Sequence, residues 1–195
     1  MEFKNSETRI CTARAFAGLC QDSAKYQLMA KSAETEGYGF LAKLFMEYSK
    51  HKMAHASSLY TIMIENINCK KDNISIEAGF PFENYKLAVS IEGSCETEKY
   101  EGKNLFPHFA KIAHDEGFLN IEKKFNDISK VCLKFSYSLE KLATKFKNNQ
   151  LFTSTTPADW RCTNCGHEDQ LKSVWKNCPL CNYPQGYAKQ LDEGK

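Results

Sequence analysis

Four cysteines near the C-terminus have the spacing of a metal site. Cys162 and Cys165 form one C-x-x-C pair, and Cys178 and Cys181 form a second. Two residues between paired cysteines let both sulfurs of a tight turn reach one ion, and two such turns complete a tetrahedral site. The spacing therefore predicts a four-thiolate metal site, and it is compatible with either iron or zinc.

The residues around these cysteines support the same interpretation. Gly166 and Asn182 directly follow the two pairs, where a left-handed backbone is useful. Each turn is expected to direct backbone N–H groups at sulfur, and Trp160, Tyr183 and Tyr187 are expected to shield the ion. Because so small a unit lacks a sufficient core, metal binding would supply its folding energy.

The remainder of the chain contains an internal repeat. "MAKSAETEGY" at 29–38 matches "FAKIAHDEGF" at 109–118, an offset of 80, and Lys43 matches Lys123 at the same offset. Glycine suits the end of a helix, so each copy predicts two long helices joined at a Glu-Gly-aromatic corner. Neither helical hairpin buries its apolar stripe alone, so the two together predict an all-α four-helix bundle.

The helices that build this bundle follow from apolar residues at three- and four-residue spacing. They are predicted over residues 8–35, 38–65, 83–116 and 118–148. The polar segment 66–82 is the longest break and is expected to be the crossover between the hairpins. Pro107 is expected to kink the third helix.

The chain therefore divides into two units and a connection. Residues 1–148 are predicted to form the bundle, and residues 149–157, "NQLFTSTTP", to form a Thr/Ser-rich linker. Residues 158–195 form the small domain that carries the four paired cysteines.

Composition excludes several classes of protein. Hydrophobic residues make up 42% and charged residues 26%, which is typical of globular proteins. The net charge of +2 is nearly neutral and gives no indication of a basic nucleic-acid-binding surface. No apolar run approaches the roughly 18 residues of a membrane span, and "MEFKNSETRI" lacks the core of a signal peptide. We expect a cytoplasmic protein without nucleic-acid or membrane partners, in which unpaired cysteines act as small buried hydrophobes.

The same residues resemble a known family. "CTNCG" and "CPLCNYP" resemble the two turns of a rubredoxin site, which favours iron over zinc. "AFAG" at 15–18, "EGYGFLAKLFMEYS" at 36–49 and "FPHFAKIAHDEGF" at 106–118, with the tail, resemble rubrerythrin segments in the same order. The resemblance implies a ferritin-like bundle, a homodimer and a redox partner protein as electron donor. It also implies hydrogen peroxide reduction at a di-iron site that receives electrons from the rubredoxin-like iron.

Most positions that match the family's di-iron ligands are substituted. Ferritin-like bundles supply a Glu from each of two helices and a Glu-x-x-His from each of the others. Here Leu19 follows "AFAG", "KMAH" contains Lys52 and His55, and "CLKF" contains Cys132 and Phe135. Leu19 and Phe135 offer no ligand atom, and Lys52 would place an ammonium against two metal cations. The di-iron centre is therefore predicted to be absent.

The third helix admits two registers. Counting back from "FPHFA" places Glu98 and Glu101 at the family's carboxylate positions, whereas counting forward from "SIEG" places Ser94 and Thr97 there. The repeat offset favours the first register. A buried lysine needs a partner, so Lys52 is predicted to pair with Glu98 or Glu101 at the former metal site. The residual candidates for a bundle metal are His55, Glu98 and Glu101.

Two further arrangements of the bundle residues stay open. Glu47, His51 and His55 follow at four-residue spacing and could bind a metal, or His51 faces solvent and His55 lies in the core. Cys20, Cys95 and Cys132 form either a soft-metal or thiol redox site or separate parts of the core.

Three functions are compatible with these features. The favoured one is an electron-transfer protein with a rubredoxin-type iron and a degenerate bundle site. The second is an active hydrogen peroxide reductase, an oxidoreductase of oxidative-stress defence. The third is a non-catalytic binding protein with structural zinc. Trp175, in "LKSVWKN", is either a partner contact or packs onto the bundle.

Overall fold

The computed structural model describes residues 2–66, 70–77, 79, 81–82 and 86–191. Its helices are α1 (Glu7–Thr35), α2 (Gly39–Glu65), α3 (Leu87–Tyr100), α4 (Phe106–Asp115) and α5 (Leu119–Lys147). A π-helical turn, Glu101–Leu105, joins α3 to α4. Together α3, this turn and α4 are the third long helix of a four-helix bundle, which confirms the predicted fold. Within the described ranges, no helix combines the length and apolar character needed to cross a bilayer.

The two halves of the bundle repeat each other closely. Helix starts at Glu7 and Gly39 correspond to those at Leu87 and Leu119, an offset of 80. At the corners, Gly37 has φ 84° and Gly117 has φ 87°, a conformation that glycine adopts without steric cost. The next residue, Tyr38 or Phe118, donates its N–H over 2.7 Å to the carbonyl five residues earlier. The same helix-ending motif therefore closes both hairpins.

The third helix differs in detail from its prediction. The predicted start near Glu83 lies outside the described residues, and the helix is described from Leu87. Instead of a simple kink at Pro107, a wide π-turn precedes this proline. Proline supplies no N–H to the helical ladder, and a π-turn is one way to accommodate such an interruption. The turn carries Glu101, which is buried in the bundle.

The bundle interior contains two apolar clusters. One includes Leu19, Leu59, Phe106, Phe125 and Cys132, and the other includes Tyr26, Phe45, Ile91, Phe135 and Leu139. Several charged side chains are buried with them, and Lys52 is 0% exposed. A charge at this depth requires a partner of opposite charge.

The small domain is a three-stranded antiparallel sheet. Its strands are β1 (Thr153–Cys162), β2 (Glu168–Ser173) and β3 (Ala188–Gln190), in the order β2-β1-β3. Residues 153–157 of the expected linker belong to β1, and Thr153 pairs with Ser173. Threonine favours strands, which accounts for a strand in this Thr-rich segment. Because β1 begins at Thr153, the connection between the two domains is shorter than expected. Trp160 is completely buried, and its indole N–H donates to the carbonyl of Leu171 at 2.9 Å.

The small domain packs against the corner between α1 and α2. A Cβ atom on Gly186 would lie 1.7 Å from the carbonyl oxygen of Gly37, and the Tyr187 ring lies close to Gly39. Lys43 Nζ lies 5.7 Å from the centre of the Tyr187 ring. The absence of a side chain at Gly39 and Gly186 therefore permits the two domains to approach closely.

Candidate metal centres

The four paired cysteines converge in the small domain. Cys162 Sγ lies 3.7 Å from Cys181 Sγ, and Cys165 Sγ lies 3.7 Å from Cys178 Sγ. All four sulfurs lie within 4.8 Å of one another. A tetrahedral ion with metal–sulfur bonds of about 2.3 Å separates its sulfurs by about 3.8 Å. The cluster therefore fits a rubredoxin-like iron site, and zinc has the same geometric requirement.

Local backbone geometry positions these sulfurs. Gly166 has φ 80° and Asn182 has φ 60°, the left-handed conformation expected after each cysteine pair. Each of these residues donates its N–H, over 2.9 and 2.8 Å respectively, to the carbonyl of the first cysteine of its pair. The N–H of Tyr183 donates to the Cys181 sulfur and lowers the pKa of that thiol. A lower pKa favours the thiolate, which is the form that binds metal.

Aromatic residues surround the four-cysteine cluster unequally. Trp160 lies in the core of the small domain, and Trp175 packs against this core with its ring 5.3 Å from that of His167. The Tyr183 and Tyr187 rings meet edge-to-face at 4.8 Å. Leu180, between the second pair of cysteines, is 68% exposed. One side of the cluster thus faces solvent through apolar groups, and Trp175 belongs to the core of its own domain.

A second cluster, made of ionisable side chains, lies inside the bundle around Lys52. Its Nζ lies 2.9 Å from Asp22 Oδ2, 2.9 Å from Glu98 Oε1 and 2.7 Å from Glu101 Oε2. An ammonium has three N–H donors, so each carboxylate can accept one. Lys52 therefore pairs with both glutamates of the favoured register and with a third carboxylate that the sequence analysis missed.

All four long helices contribute to this lysine cluster. Asp22 comes from α1, Lys52 from α2, Glu98 and Glu101 from the third helix, and Cys132 from α5. Cys132 Sγ lies 3.7 Å from Lys52 Nζ and 3.6 Å from Glu101 Oε2. Asp22 follows the substituted position 19 by three residues, so it shares one helix face with that position. The three-residue spacing from position 19 is the sequence signal from which Asp22 could have been predicted.

Burial and charge shift the pKa values within the cluster in opposite directions. Burial alone would lower the pKa of Lys52, but the surrounding carboxylates hold it well above its usual value. Burial raises the pKa of Glu98, and that of Glu101 to about 7, although Lys52 opposes both shifts. Burial also raises the pKa of the Cys132 thiol. The lysine is therefore charged, and the two glutamates retain protons more readily than they would in water.

Comparison with known protein sequences identifies the family of this chain. The chain matches the sequence model described as Rubrerythrin over residues 12–132. The chain belongs to the rubrerythrin family. It is 30% identical to a rubrerythrin of Porphyromonas gingivalis over 189 residues, 96% of this chain and 92% of that protein. It is 27% identical to a rubrerythrin of Clostridium perfringens over 97% of both chains.

Structural comparison supports the same fold. Nigerythrin, solved in a mixed-valence state, superposes with a TM-score of 0.62 at 20% sequence identity. The match covers 96% of this chain and 87% of nigerythrin. A sequence of Nitratidesulfovibrio vulgaris nigerythrin is 23% identical over 88% of this chain and 80% of its own length. The resemblance to rubrerythrins is thus confirmed over both the bundle and the small domain.

Side-chain contacts distinguish between the two registers that the sequence allowed for the third helix. Glu98 and Glu101 reach Lys52, as described above. Ser94 instead donates to the sulfur of Met29 at 3.2 Å. Thr97 donates to a backbone carbonyl of its own helix at 3.0 Å. The register counted back from the proline is therefore the one that places carboxylates in the bundle centre.

Apolar residues stand at two positions where the resemblance to rubrerythrins implies that metal ligands have been substituted. Leu19 is 1% exposed and Phe135 is 7% exposed, so both are part of the core. The Phe135 ring stacks on Tyr48 with 3.9 Å between ring centres. Tyr48 in turn meets Tyr26 edge-to-face, and Tyr26 donates its hydroxyl to Glu98 Oε1 at 2.7 Å. An aromatic column therefore occupies space next to the lysine cluster.

The two histidines of α2 have different surroundings. His51 is exposed, and its ring lies 5.9 Å from that of Phe135. His55 is partly buried, and burial, assisted by the charge of Lys52, lowers its pKa to about 4. Among the described residues, His55 Nδ1 and Glu98 Oε2 are the buried side-chain nitrogen and oxygen atoms without a hydrogen-bond partner. A neutral His55 and an unpaired carboxylate oxygen thus remain in the bundle.

The scattered cysteines have separate environments. Cys95 donates its thiol to the carbonyl of Ser136 at 3.4 Å. Cys11 and Cys132 belong to one apolar cluster, and Cys20 packs against it. Cys69 lies outside the described residues. Of these thiols, only that of Cys132 belongs to a described group of candidate ligands, which it forms with Glu98 and Glu101 within 4.8 Å.

Proposed function

We propose that this protein is an electron-transfer member of the rubrerythrin family. Its redox centre would be one iron bound by Cys162, Cys165, Cys178 and Cys181, whose sulfur spacing suits a tetrahedral ion. Iron held by four thiolates exchanges one electron between its ferric and ferrous forms. The protein contributes thiolates at fixed positions and N–H donors to sulfur, which tune the site.

The second part of the proposal is that the bundle holds no di-iron centre. The observation that supports it is the position of Lys52 Nζ. Its ammonium uses oxygens of three carboxylates, at 2.7–2.9 Å, that two irons would require. A divalent cation about 4 Å from an ammonium is repelled by about 8 kcal/mol at an effective dielectric constant of 20. Two such ions would double this repulsion. Leu19 and Phe135 cannot compensate because they offer no ligand atoms, so these residues do not fit a di-iron centre.

Metal content and the visible spectrum test this proposal. We expect thiolate-to-iron absorption in the purified protein, and we expect Cys178→Ser to abolish it. A colourless protein with zinc in the tail would instead support the structural-zinc alternative. Two irons retained per chain in the Cys178→Ser variant would contradict the proposed loss of the di-iron centre.

Peroxide reactivity separates electron transfer from a rubrerythrin-type peroxidase. The tail iron is first reduced without oxygen, and hydrogen peroxide is then added while the ferric absorption returns. The proposal expects equal rates for wild type and for the double variant Glu98→Gln/Glu101→Gln. Asp115→Asn, at an exposed position, is the control for a change of surface charge. A much slower return in the double variant alone would favour the peroxidase, with its role in oxidative-stress defence.

We also propose that the protein is a homodimer. Met46, Met53, Tyr60 and Ile64 are all exposed large apolar residues of α2. Their spacing of 7, 7 and 4 residues places them on one face of the helix. Such a stripe is suited to an interface between copies. Light scattering should show a dimer, and Met53→Lys should shift the population towards the monomer.

The electron donor is proposed to be a redox partner protein that docks beside the four-cysteine cluster. Leu180 and Tyr183 are exposed there and offer an apolar contact next to the sulfurs. We propose a cytoplasmic location because thiols stay reduced in that compartment, and the eight cysteines of the described residues are unpaired. Leu180→Lys should slow reduction by the partner without changing the visible spectrum.

A further inference from the structure

We propose that Lys43 of the bundle raises the reduction potential of the iron in the four-cysteine cluster, by holding its positive charge against the turn between Cys162 and Cys165. The inference deepens the proposed electron-transfer function and rests on it. The step concerned is the addition of one electron to ferric iron, which gives ferrous iron and breaks no bond. The proposed redox partner protein supplies the electron. Lys43 thus adjusts the redox centre from outside the domain that binds it.

The first argument is the contact between Lys43 and the first cysteine turn. Lys43 Nζ donates a hydrogen bond to the backbone carbonyl of Thr163. Thr163 directly follows Cys162 and precedes Cys165 by two residues, so the ammonium reaches the turn that carries two of the four sulfurs. Lys43 belongs to α2, whereas Thr163 follows the end of β1. The bundle therefore supplies a positive charge to the metal-binding turn of the small domain.

The second argument is that further contacts hold this lysine in place. Lys43 is exposed, and a lone exposed lysine gains little from a single contact because it loses side-chain entropy. Here its Nζ also lies 5.7 Å from the centre of the Tyr187 ring, which packs against Gly39, one helical turn earlier on α2. The Tyr187 carbonyl accepts the N–H of Thr163 at 2.8 Å and its hydroxyl at 2.9 Å. Tyr187 therefore connects the lysine to the same residue whose carbonyl the lysine binds.

The third argument is the short connection from Thr163 to a sulfur. The Thr163 carbonyl belongs to the peptide group that joins Thr163 to Asn164. The side-chain amide of Asn164 donates to Cys181 Sγ at 3.6 Å. Lys43 therefore fixes the peptide group next to a donor that reaches the opposite cysteine pair. Hydrogen bonds to sulfur and nearby charge are among the factors that set the potential of an iron–thiolate centre.

The fourth argument is the sign of the charge. Adding an electron makes a four-thiolate iron centre more negative, so a nearby ammonium attracts the reduced form more strongly than the oxidised form and raises the potential. Water screens the charge of an exposed lysine, which makes the effect modest. We expect Lys43 to favour ferrous over ferric iron by about three- to tenfold, which corresponds to about 30–60 mV for one electron.

The reduction potential of the full-length, iron-loaded protein tests the inference. Ferric absorption is recorded while the applied potential is lowered stepwise in the presence of redox mediators. We expect Lys43→Met to lower the midpoint potential by about 30–60 mV. Lys43→Arg keeps the charge and the N–H donors, and its potential should stay close to that of wild type. The difference between wild type and Lys43→Met should shrink in about 1 M salt, because salt screens an exposed charge.

Two control variants separate the contact with Thr163 from other effects of removing a lysine. Lys50→Met removes an exposed charge of α2, seven residues from Lys43, or about 10 Å along the helix. Lys145→Met weakens the contact between the domains at another point, where Lys145 Nζ donates to Gln190 Oε1 at 2.7 Å. Both variants should change the ferrous-to-ferric equilibrium by less than about 1.5-fold.

Each outcome of this experiment has a defined meaning. An unchanged potential in Lys43→Met, or an equal fall in Lys145→Met, would overturn the inference and leave the electron-transfer proposal standing, because the ferric absorption would still be present. A colourless, zinc-loaded wild type would overturn both. If Lys43→Met fails to fold or to retain iron, Lys43→Gln decides the question, because it removes the charge but keeps an N–H donor. A wild-type potential in Lys43→Gln would contradict the role of the charge.

Discussion

Lys52 Nζ lies 3.7 Å from Cys132 Sγ, and these residues occupy equivalent positions of the internal repeat, 80 residues apart. Packing one helical hairpin on its copy brings equivalent positions face to face at the bundle centre. The two copies now differ there, since one supplies a cation and the other a neutral thiol. Both glutamates beside them come from the third helix alone, so the polar centre is not symmetric although the helices are.

Replacing the buried lysine should strongly destabilise the bundle. In Lys52→Met, three carboxylates lose the ammonium that they share, and we expect a loss of about 3–5 kcal/mol in the free energy of unfolding. Lys130→Met is the control, because it breaks an exposed pair with Asp127 at 2.9 Å, for which about 0–1 kcal/mol is expected. Urea unfolding at neutral pH measures both variants. Equal losses in the two would contradict a central role for the lysine cluster.

His55 should make the protein less stable in mild acid. Its pKa is lowered in the folded state to about 4 from 6.5, first by burial and then by the charge of Lys52. As the pH falls below about 6.5, the unfolded chain takes up a proton that the folded chain refuses, so stability decreases until about pH 4. His55→Gln should lose less stability than wild type between about pH 7 and about pH 5. His108→Gln, at an exposed position, should keep the wild-type dependence.

The contact between the two domains should not tolerate a side chain at Gly186. A Cβ there would lie 1.7 Å from the Gly37 carbonyl oxygen, so Gly186→Ala must separate the domains. We expect a loss of about 1–3 kcal/mol and faster proteolysis between α5 and β1. Gly18→Ala, where a Cβ meets nothing within 4 Å, should be neutral or slightly stabilising. Resistance of both variants to protease would show that the interface is not tightly packed.

The start of α1 should depend on a residue of the other repeat. Glu116 accepts hydrogen bonds from the N–H of Glu7 at 3.0 Å and from that of Thr8 at 2.8 Å. Glu116→Ala should cost about 1 kcal/mol, as does the loss of other helix N-caps. The equivalent Glu36 is exposed, and Glu36→Ala should change stability by less than about 0.5 kcal/mol. Thermal unfolding of both variants measures this difference between the copies.

Local features of this protein were predictable from the order of its residues. The four-cysteine cluster depends on tight turns within a few residues, so spacing and the residues at 166 and 182 were sufficient to predict it. The helix corners at Gly37 and Gly117 follow from short motifs for the same reason. The repeat then predicted the number of helices and their pairing, because each hairpin has an apolar face to bury.

The full lysine cluster could not be predicted from the sequence, because it depends on how the helices pack in three dimensions. The pattern suggested one carboxylate partner for Lys52, and the fold supplies three, including Asp22 of another helix. The π-turn that carries Glu101 and the strand within the expected linker also escaped prediction. Spacing along a helix specifies which residues share a face. The rotation and separation of packed helices specify which faces meet, and these arise from contacts distant in sequence that no local pattern encodes.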